Sequence, residues 1–262
     1  MVRPTRLVAV LSSLFLLGSV LGAPATLAVA TAVAASPLPV VGGPAVATST
    51  STYYSGYSVY LWRGSFSRVT GTWVVPKATC NGTTSVMFSW VGIDDNGAKY
   101  LEQAGTADQC LAGSLTPSYY AWYEMFPKTS VPSGPALRAG DRVRTTVTVS
   151  GSTFTFKIEN LTRNLTFTKA VSQAHSARLA AYWIVESPWA GSSPASIYPL
   201  TQFSPFSLVS ASATANGHSG SISSSLWNLR QHWTMASGRT LKATAGGLTY
   251  TGSAFAVTWH HR

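Results

Sequence analysis

Two glutamates occupy positions where an ordinary surface carboxylate is not expected. Glu186 ends the apolar run AAYWIVE, and Glu124 lies within the aromatic run YYAWYEMF. The chain has only 8 Asp and Glu among 262 residues, and charged residues make up 10% of it, less than half of the usual quarter. Burial would raise the pKa of such a carboxyl, which suits a group that gives and takes protons. The alternative for either residue is a strand-end carboxylate that points to water.

The elements that carry these acids are predicted to be β-strands. Alternate residues of a strand point to the same side, so each strand presents an acid and its aromatic neighbours on one face. The residues grouped in this way are Trp90 with Asp94, then Tyr120, Trp122, Glu124 and Phe126, then Tyr182, Ile184 and Glu186. Acids among aromatics on an open sheet face describe a cleft for an extended polymer, either peptide or sugar. The alternative is that these aromatics fill a second core layer.

The rest of the chain is also predicted to be β. Short runs rich in Val, Thr, Ser, Tyr and Trp recur from Tyr53 onward and are separated by turn signals such as Asn81-Gly82 and Asn216-Gly217. Residues 142–149 and 153–158 alternate in polarity and predict a hairpin across Ser150-Gly151-Ser152. No amphipathic helix follows the N-terminal region. The pattern predicts a sandwich of antiparallel sheets.

The N-terminal region has the features of an export signal. Arg3 and Arg6 precede a short apolar stretch, and small-residue cleavage patterns follow it. A transmembrane anchor is the alternative, but the stretch is short and is interrupted by Gly18 and Gly22. We expect residues 1–34 to be a signal peptide, 35–52 a linker or short pro-segment, and 53–262 the domain. The mature protein is expected to be secreted, extracellular and free of the membrane.

Charge and cysteine content limit the possible partners. The formal net charge is +10, with 18 Lys and Arg, but it reflects missing acids rather than a basic cluster, so no nucleic-acid partner is expected. Cys80 and Cys110 are the only cysteines, and export makes a disulfide between them the default. A Cys nucleophile is the weaker alternative. The five His show no metal spacing, so no metal site is expected.

Six short motifs, taken in order, resemble one family. They are GTWVVP (71–76), WVGID (90–94), LEQAG (101–105), YAWYE (120–124), AGD (139–141) and WIVE (183–186). Their order is similar to that in the glutamic peptidases, also called eqolisins, and the resemblance covers residues 53–210. Each motif alone is weak, and the six in sequence make the signal specific.

The resemblance implies a concanavalin A-like sandwich of two antiparallel sheets, one of them curved into a substrate groove. It implies an acid endopeptidase that needs no metal or cofactor and acts on polypeptides, and we expect a monomer. The family's catalytic Gln matches Gln103, and its catalytic Glu matches Glu186. The positions that match its groove residues, and that we expect to bind substrate, are Tyr54, Trp90, Asp94, Trp122, Glu124 and Phe126.

The implied chemistry is water attack on a peptide carbonyl. An ionised Glu186 would act as general base, an effect on the order of 10²–10⁴-fold, and would then protonate the leaving nitrogen. The Gln103 amide would hold the water and stabilise the oxyanion. The chain departs from the family at Tyr54, where a Trp is usual, at Tyr182, where a Glu is usual, and at Asp95 and Phe126. These departures bear on subsites and pH optimum.

Two other functions remain open at this point. The same aromatic face would suit a non-catalytic, lectin-like carbohydrate-binding sandwich, because this fold is shared with lectins. A glycosidase that uses Glu124 and Glu186 is the third candidate and would require a carboxyl separation of roughly 5–9.5 Å.

Overall fold

The computed structural model describes residues 44–96, 99–174, 176–191 and 196–262. The signal peptide predicted over residues 1–34 lies outside the described residues, and so does the first part of the segment 35–52. No helix within the described ranges is long and apolar enough to cross a membrane.

The described part of the chain contains eighteen strands, all of them within residues 40–262. They are β1 (Ala45–Ser51), β2 (Tyr54–Tyr60), β3 (Phe66–Val74), β4 (Ala78–Thr79), β5 (Ser85–Asp94), β6 (Leu101–Cys110), β7 (Ser118–Phe126), β8 (Val131–Pro132), β9 (Arg142–Ser150), β10 (Thr153–Asn160), β11 (Leu165–Ser172), β12 (Ala180–Glu186), β13 (Gln202–Phe203), β14 (Phe206–Ala215), β15 (His218–Gly220), β16 (Leu229–Ser237), β17 (Thr240–Ala245) and β18 (Phe255–Trp259).

Most strands form one ladder that folds over on itself into two layers. Its order is β11-β10-β9-β3-β14-β18-β17-β16-β2-β12-β5-β6-β7-β8, with β1 added to β16 and β15 to β14. Strands β5, β6 and β12 pack against β3, β9, β10 and β14, so the layer from β16 to β8 covers the layer from β11 to β17. A separate pair, β13 and β4, lies outside the ladder. The all-β sandwich predicted from the sequence is confirmed, with the two layers joined through β16 and β17.

Two apolar clusters occupy the two faces of the layer that contains β5, β7 and β12. The inter-layer core includes Val91, Ile93 and Trp183. A second cluster on the opposite face includes Trp90 and Trp122. We call this second face the groove face. The alternation of side chains predicted for these strands is therefore confirmed, because alternate residues enter different clusters.

Two local predictions are also confirmed. β9 and β10 pair as an antiparallel hairpin in which Ser150 is opposite Thr153, and Gly151 adopts a φ of 59° in the turn. A positive φ at this position is favourable for glycine because it lacks a Cβ. Cys80 and Cys110 form the disulfide, with their Cα atoms 5.5 Å apart.

The segment before the predicted domain contains a strand that the sequence interpretation lacked. Residues 45–51 were expected to belong to a linker or short pro-segment, but they form β1 and pair in parallel with β16 along seven residues, from Ala45 with Leu229 to Ser51 with Met235. Small and β-branched residues fit a pleated edge, and an added strand satisfies backbone groups that an open edge would leave unpaired. Small polar residues are equally typical of linkers, which is why composition did not predict the strand.

Candidate active site

Five neighbouring strands of the groove-face layer bring the predicted site residues together. In one row across the sheet, Tyr54, Glu186 and Phe88 are register partners on β2, β12 and β5. In a second row, Gly92, Gln103 and Glu124 are register partners on β5, β6 and β7. Gln103 thus lies two strands from Glu186 and four residues further along the sheet, since Gly92 pairs with Tyr182 on β12.

Glycine permits the close packing of aromatics between these two rows. A Cβ on Gly105 would lie 2.0 Å from the Ser89 carbonyl oxygen and 2.7 Å from Trp90 Cβ. Gly105 is the register partner of both Trp90 and Trp122, so only a residue without a side chain leaves room between the two indoles. The family motif that ends at Gly105 therefore has a packing reason in this structure.

Glu186 is a buried carboxyl with one hydrogen-bond donor. Trp90 Nε1 donates to Glu186 Oε2 at 2.7 Å. Burial, together with the charge of Glu124, raises the pKa of Glu186 to about 8, and the Trp90 hydrogen bond partly offsets the rise. Burial dominates because there is little water to solvate the charged form. The raised pKa favours the neutral form of Glu186 at acid pH.

Gln103 is held by Glu124 rather than by Glu186. Gln103 Nε2 donates a short hydrogen bond to Glu124 Oε2. Gln103 Oε1 is buried and has no hydrogen-bond partner within the described part of the protein. Burial raises the pKa of Glu124 to about 7, and the hydrogen bond from Gln103 partly offsets the rise. The amide is thus fixed in one orientation, with an acceptor left over.

A network of hydroxyl groups surrounds Tyr182. The Tyr182 and Tyr60 hydroxyls lie 3.2 Å apart, Ser58 Oγ donates to Tyr60 at 3.0 Å, and Trp233 Nε1 donates to Ser58 at 2.8 Å. Burial raises the pKa of Asp94 to about 7, and Tyr182 is among the groups that hydrogen-bond to it. The network joins β16, β2, β12 and β5 beside the two catalytic candidates.

The predicted substrate-binding aromatics differ in accessibility. Trp90 and Trp122 are fully buried at 0% exposure, although an open face was expected for them. Tyr54 and Phe126 are half-buried; Tyr54 packs edge-on against Trp90 with centroids 5.8 Å apart, and Phe126 packs edge-on against Trp189 at 6.0 Å. The two indoles are buried because Phe88, Tyr182 and neighbouring rings pack against them.

Two further buried acids were not singled out from the sequence. Glu102 and Asp108 lie on β6 with the opposite parity to Gln103 and are both fully buried. Burial raises the pKa of Glu102 to about 7 and raises that of Asp108 well above its usual value. Neither Asp108 carboxyl oxygen has a hydrogen-bond partner among the described residues. The same parity argument that grouped the groove acids would have placed this pair on the core face.

No cluster of three or more His, Cys, Asp or Glu side chains with metal-binding geometry occurs in the described ranges. The carboxyls of the site instead face aromatic rings and one amide. This is a setting for proton transfer and hydrogen bonding.

Comparison with known proteins now decides the family. The model of the peptidase A4 family matches residues 52–250. The chain belongs to the peptidase A4 family. No curated protein matches the chain significantly.

Solved structures of A4-type peptidases share the fold. A scytalido-glutamic peptidase with a peptide-based transition-state analogue superposes with a TM-score of 0.66 at 23% identity, covering 80% of this chain and 98% of that one. SCP-B, an eqolisin-family member in complex with the tripeptide Ala-Ile-His, gives 0.63 at 21% identity, with the same coverages of 80% and 98%. Aspergilloglutamic peptidase from Aspergillus niger gives 0.57 at 24% identity, covering 67% and 99%.

These matches confirm the predicted resemblance to the glutamic peptidases and the sandwich fold. Peptidase A4 membership supports a peptidase function for the chain. The family match begins one residue after β1, so β1 is additional to the matched region.

Proposed function

We propose that this A4 peptidase is an exported, acid-active endopeptidase that hydrolyses polypeptides by water attack, with Glu186 transferring protons and Gln103 holding the water and the oxyanion. The observation that carries the proposal is the buried Glu186 carboxyl, hydrogen-bonded by Trp90 in a layer where Gln103 is fixed by Glu124. A carbohydrate-binding or glycosidase function lacks comparable support, because the family match is to peptidases.

We propose a role for Glu186 that differs from the general base expected from the sequence. General-base catalysis by a carboxylate requires the ionised form, whereas burial raises the pKa of Glu186 to about 8. A neutral carboxyl has one acidic O–H and one acceptor oxygen. Because Oε2 accepts the Trp90 hydrogen bond, we assign the proton of the neutral carboxyl to Oε1. Neutral Glu186 is therefore a bifunctional group that donates from Oε1 and accepts at Oε2.

The proposed reaction is balanced in two steps. In the first, the water oxygen bonds to the scissile carbonyl carbon, a water proton passes to Oε2, and the Oε1 proton passes to the carbonyl oxygen. In the second, the C–N bond breaks, the nitrogen takes the proton from Oε2, and one hydroxyl of the intermediate returns its proton to Oε1. Glu186 is neutral before and after each step, which suits the proposed activity at acid pH.

Gln103 would serve both steps through the N–H group and the oxygen of its side-chain amide. One N–H is used by Glu124, so the second N–H is available for the oxygen that develops charge in the transition state. The unpartnered Oε1 is an acceptor for the attacking water. Glu124 is then a positioning residue that prevents the amide from rotating.

The test uses the Glu186→Gln and Gln103→Ala variants with casein as substrate. We expect each variant to lose on the order of 10²-fold or more in kcat/KM at acid pH while its thermal unfolding remains cooperative. The matched control is Glu159→Gln, which alters an acid on β10, in the layer without the groove face, that pairs with Lys157. This variant should keep full activity. Undiminished hydrolysis in either site variant would refute the assigned roles, and binding of polysaccharide without proteolysis would favour the lectin-like alternative.

A further inference from the structure

β1 is attached to β16 mainly through its main chain. All seven residues are register partners of β16, but most side chains of β1 are small, and Val46, Thr48 and Thr50 are exposed. A short side-chain hydrogen bond also joins the two strands, from Gln231 Nε2 to Ser49 Oγ. A strand held in this way can be exchanged for another extended segment, because backbone pairing does not depend on which side chains are present.

The strand that β1 covers borders the groove face. Leu229 and Trp233 of β16 pack against the cluster that contains Trp90. Trp233 contacts Tyr54 edge-on at 6.5 Å, and Tyr54 contacts Trp90 at 5.8 Å. Since Trp90 donates to Glu186, a continuous series of contacts runs from β16 to the candidate catalytic carboxyl.

The end of β1 is also tied to the start of β2. Ser51 Oγ accepts hydrogen bonds from the backbone N–H groups of Tyr53 and Tyr54, at 3.2 and 3.0 Å. Tyr53 in turn accepts from the Ser187 N–H at 3.0 Å, directly after Glu186. Displacement of β1 would therefore break the hydrogen bonds that hold Tyr54 and would alter the backbone next to the end of β12.

We propose that the outer edge of β16 is a strand-addition site for an extended segment of the polypeptide substrate, and that β1 occupies this site in cis. β1 itself precedes the region matched by the family model, whereas β16 lies within that region, and the inference rests on the proposed peptidase function. The substrate segment would run parallel to β16, as β1 does, with small residues facing inward at the positions of Ala47 and Ser49. Its main chain would supply affinity, and the scissile bond would lie further along the groove face.

A binding assay in the Glu186→Gln background tests this without relying on hydrolysis. The probe is the fluorescein-labelled, end-capped peptide AVATSTS, measured by fluorescence anisotropy. The test protein also carries Ala47→Pro and Thr48→Pro; because consecutive N–H groups of a strand point to opposite edges, one of the two prolines removes a donor to β16. The matched control carries Thr48→Ala and Thr50→Ala, which alter exposed side chains and leave the backbone donors.

We expect the peptide to bind the proline variant at least about tenfold more tightly than the control, since the variant's own β1 no longer competes. The probe AVPPSTS, which has prolines at the positions of Ala47 and Thr48 and therefore lacks a donor to β16, should bind neither protein. Equal binding to both proteins, or none to either, would overturn the proposal. Failure of the wild-type protein to hydrolyse casein would instead count against the proposed function.

Hydrogen exchange of the unmodified protein keeps the proposal testable if the proline variant does not fold. Amides of β1 should exchange at least about tenfold faster than those of β2, and an excess of unlabelled AVATSTS should increase the protection of residues 229–235. Protection of β1 equal to that of β2, with no response to the peptide, would show that β1 is a fixed part of the sandwich.

Discussion

Trp90 donates its indole N–H to Oε2 of Glu186 across two adjacent antiparallel strands, although neither residue is the register partner of the other. Ile184 is the partner of Trp90, and Phe88 is the partner of Glu186. The bond is therefore a diagonal contact on the groove face, made possible by the length of the indole. It identifies Oε2 as the acceptor, and the proposed mechanism accordingly assigns the proton of a neutral Glu186 to Oε1.

Replacement of Trp90 by Phe should shift the pH dependence of catalysis. The Trp90 hydrogen bond lowers the pKa of Glu186 against the effect of burial, so its removal should raise that pKa above about 8. The alkaline limb of the kcat/KM profile should move to higher pH, and kcat should fall about tenfold, the equivalent of one hydrogen bond. Trp122→Phe is the matched control, because Trp122 Nε1 has no partner among the described residues. The prediction would be contradicted if the alkaline limb of the Trp122→Phe variant shifted as far as that of the Trp90→Phe variant.

Replacement of Glu124 by Gln should have the opposite effect on the same limb. Glu124 raises the pKa of Glu186 through like-charge repulsion, so the neutral amide should lower it and move the alkaline limb to lower pH. The Gln103 amide would also lose its fixed acceptor, and kcat should fall more than KM changes. Glu102→Gln provides the control, since that carboxyl is on the other face of β6. A pH–rate series is the measurement, and an unmoved limb in Glu124→Gln would argue against the coupling of the two acids.

The buried acids of β6 should make the folded protein more stable in acid. Burial raises the folded-state pKa of Glu102 to about 7 and that of Asp108 well above its usual value. Because these values lie above those of the unfolded chain, the stabilisation is complete below about pH 4 and is lost as the pH rises through about 7 for Glu102. Thermal unfolding should show a falling Tm from pH 4 to pH 8.

Asp108→Asn tests the cause of that fall. Asparagine has the same size and cannot ionise, so the decrease in Tm between pH 4 and pH 8 should shrink by about 4 °C or more. Glu159→Gln, at a partly exposed carboxylate paired with Lys157, should leave the decrease as it is. A variant that loses stability with pH as steeply as the original would show that the pKa of Asp108 differs little between the folded and the unfolded chain.

Removal of the disulfide should cost stability without altering the site chemistry. Cys80 and Cys110 enclose a sequence separation of 30 residues, for which the chain-entropy model gives about 3–4 kcal/mol. The double variant Cys80→Ser/Cys110→Ser should therefore unfold at lower denaturant, with an unchanged midpoint for the alkaline limb of activity. Denaturant titration of both proteins checks the first expectation and a pH–rate profile the second; a free energy of unfolding equal to that of the original would contradict the model.

The sequence was sufficient to predict what depends on periodicity. Alternation along β5, β7 and β12 assigned Trp90, Glu124 and Glu186 to one face, and the clusters confirm that grouping for the strands involved. It could not predict which residues of different strands meet, because register depends on the whole ladder. The Gln103–Glu124 bond depends on their being register partners, and a sequence analysis that placed Gln103 beside Glu186 could not know this.

Other features were missed for physical reasons of the same kind. The exposure of Trp90 and Trp122 depends on how neighbouring rings pack over them, which periodicity does not encode. The raised pKa of Glu186 depends on burial together with the charge of Glu124 on β7, a strand that is remote in sequence. β1 was missed because a run of Ala, Thr and Ser has little intrinsic preference, and it becomes a strand only beside the open edge of β16.

β5 is buried at every one of its ten positions, with one face in the inter-layer core and the other beneath the groove. Loss or gain of a single codon inside this strand would turn Trp90 and Asp94 into the core and Val91 and Ile93 out of it. Insertions and deletions should therefore be tolerated in the connections between strands, whereas β5 should tolerate substitutions only. Directed-evolution libraries that permit insertions would recover them around, and not within, residues 85–94.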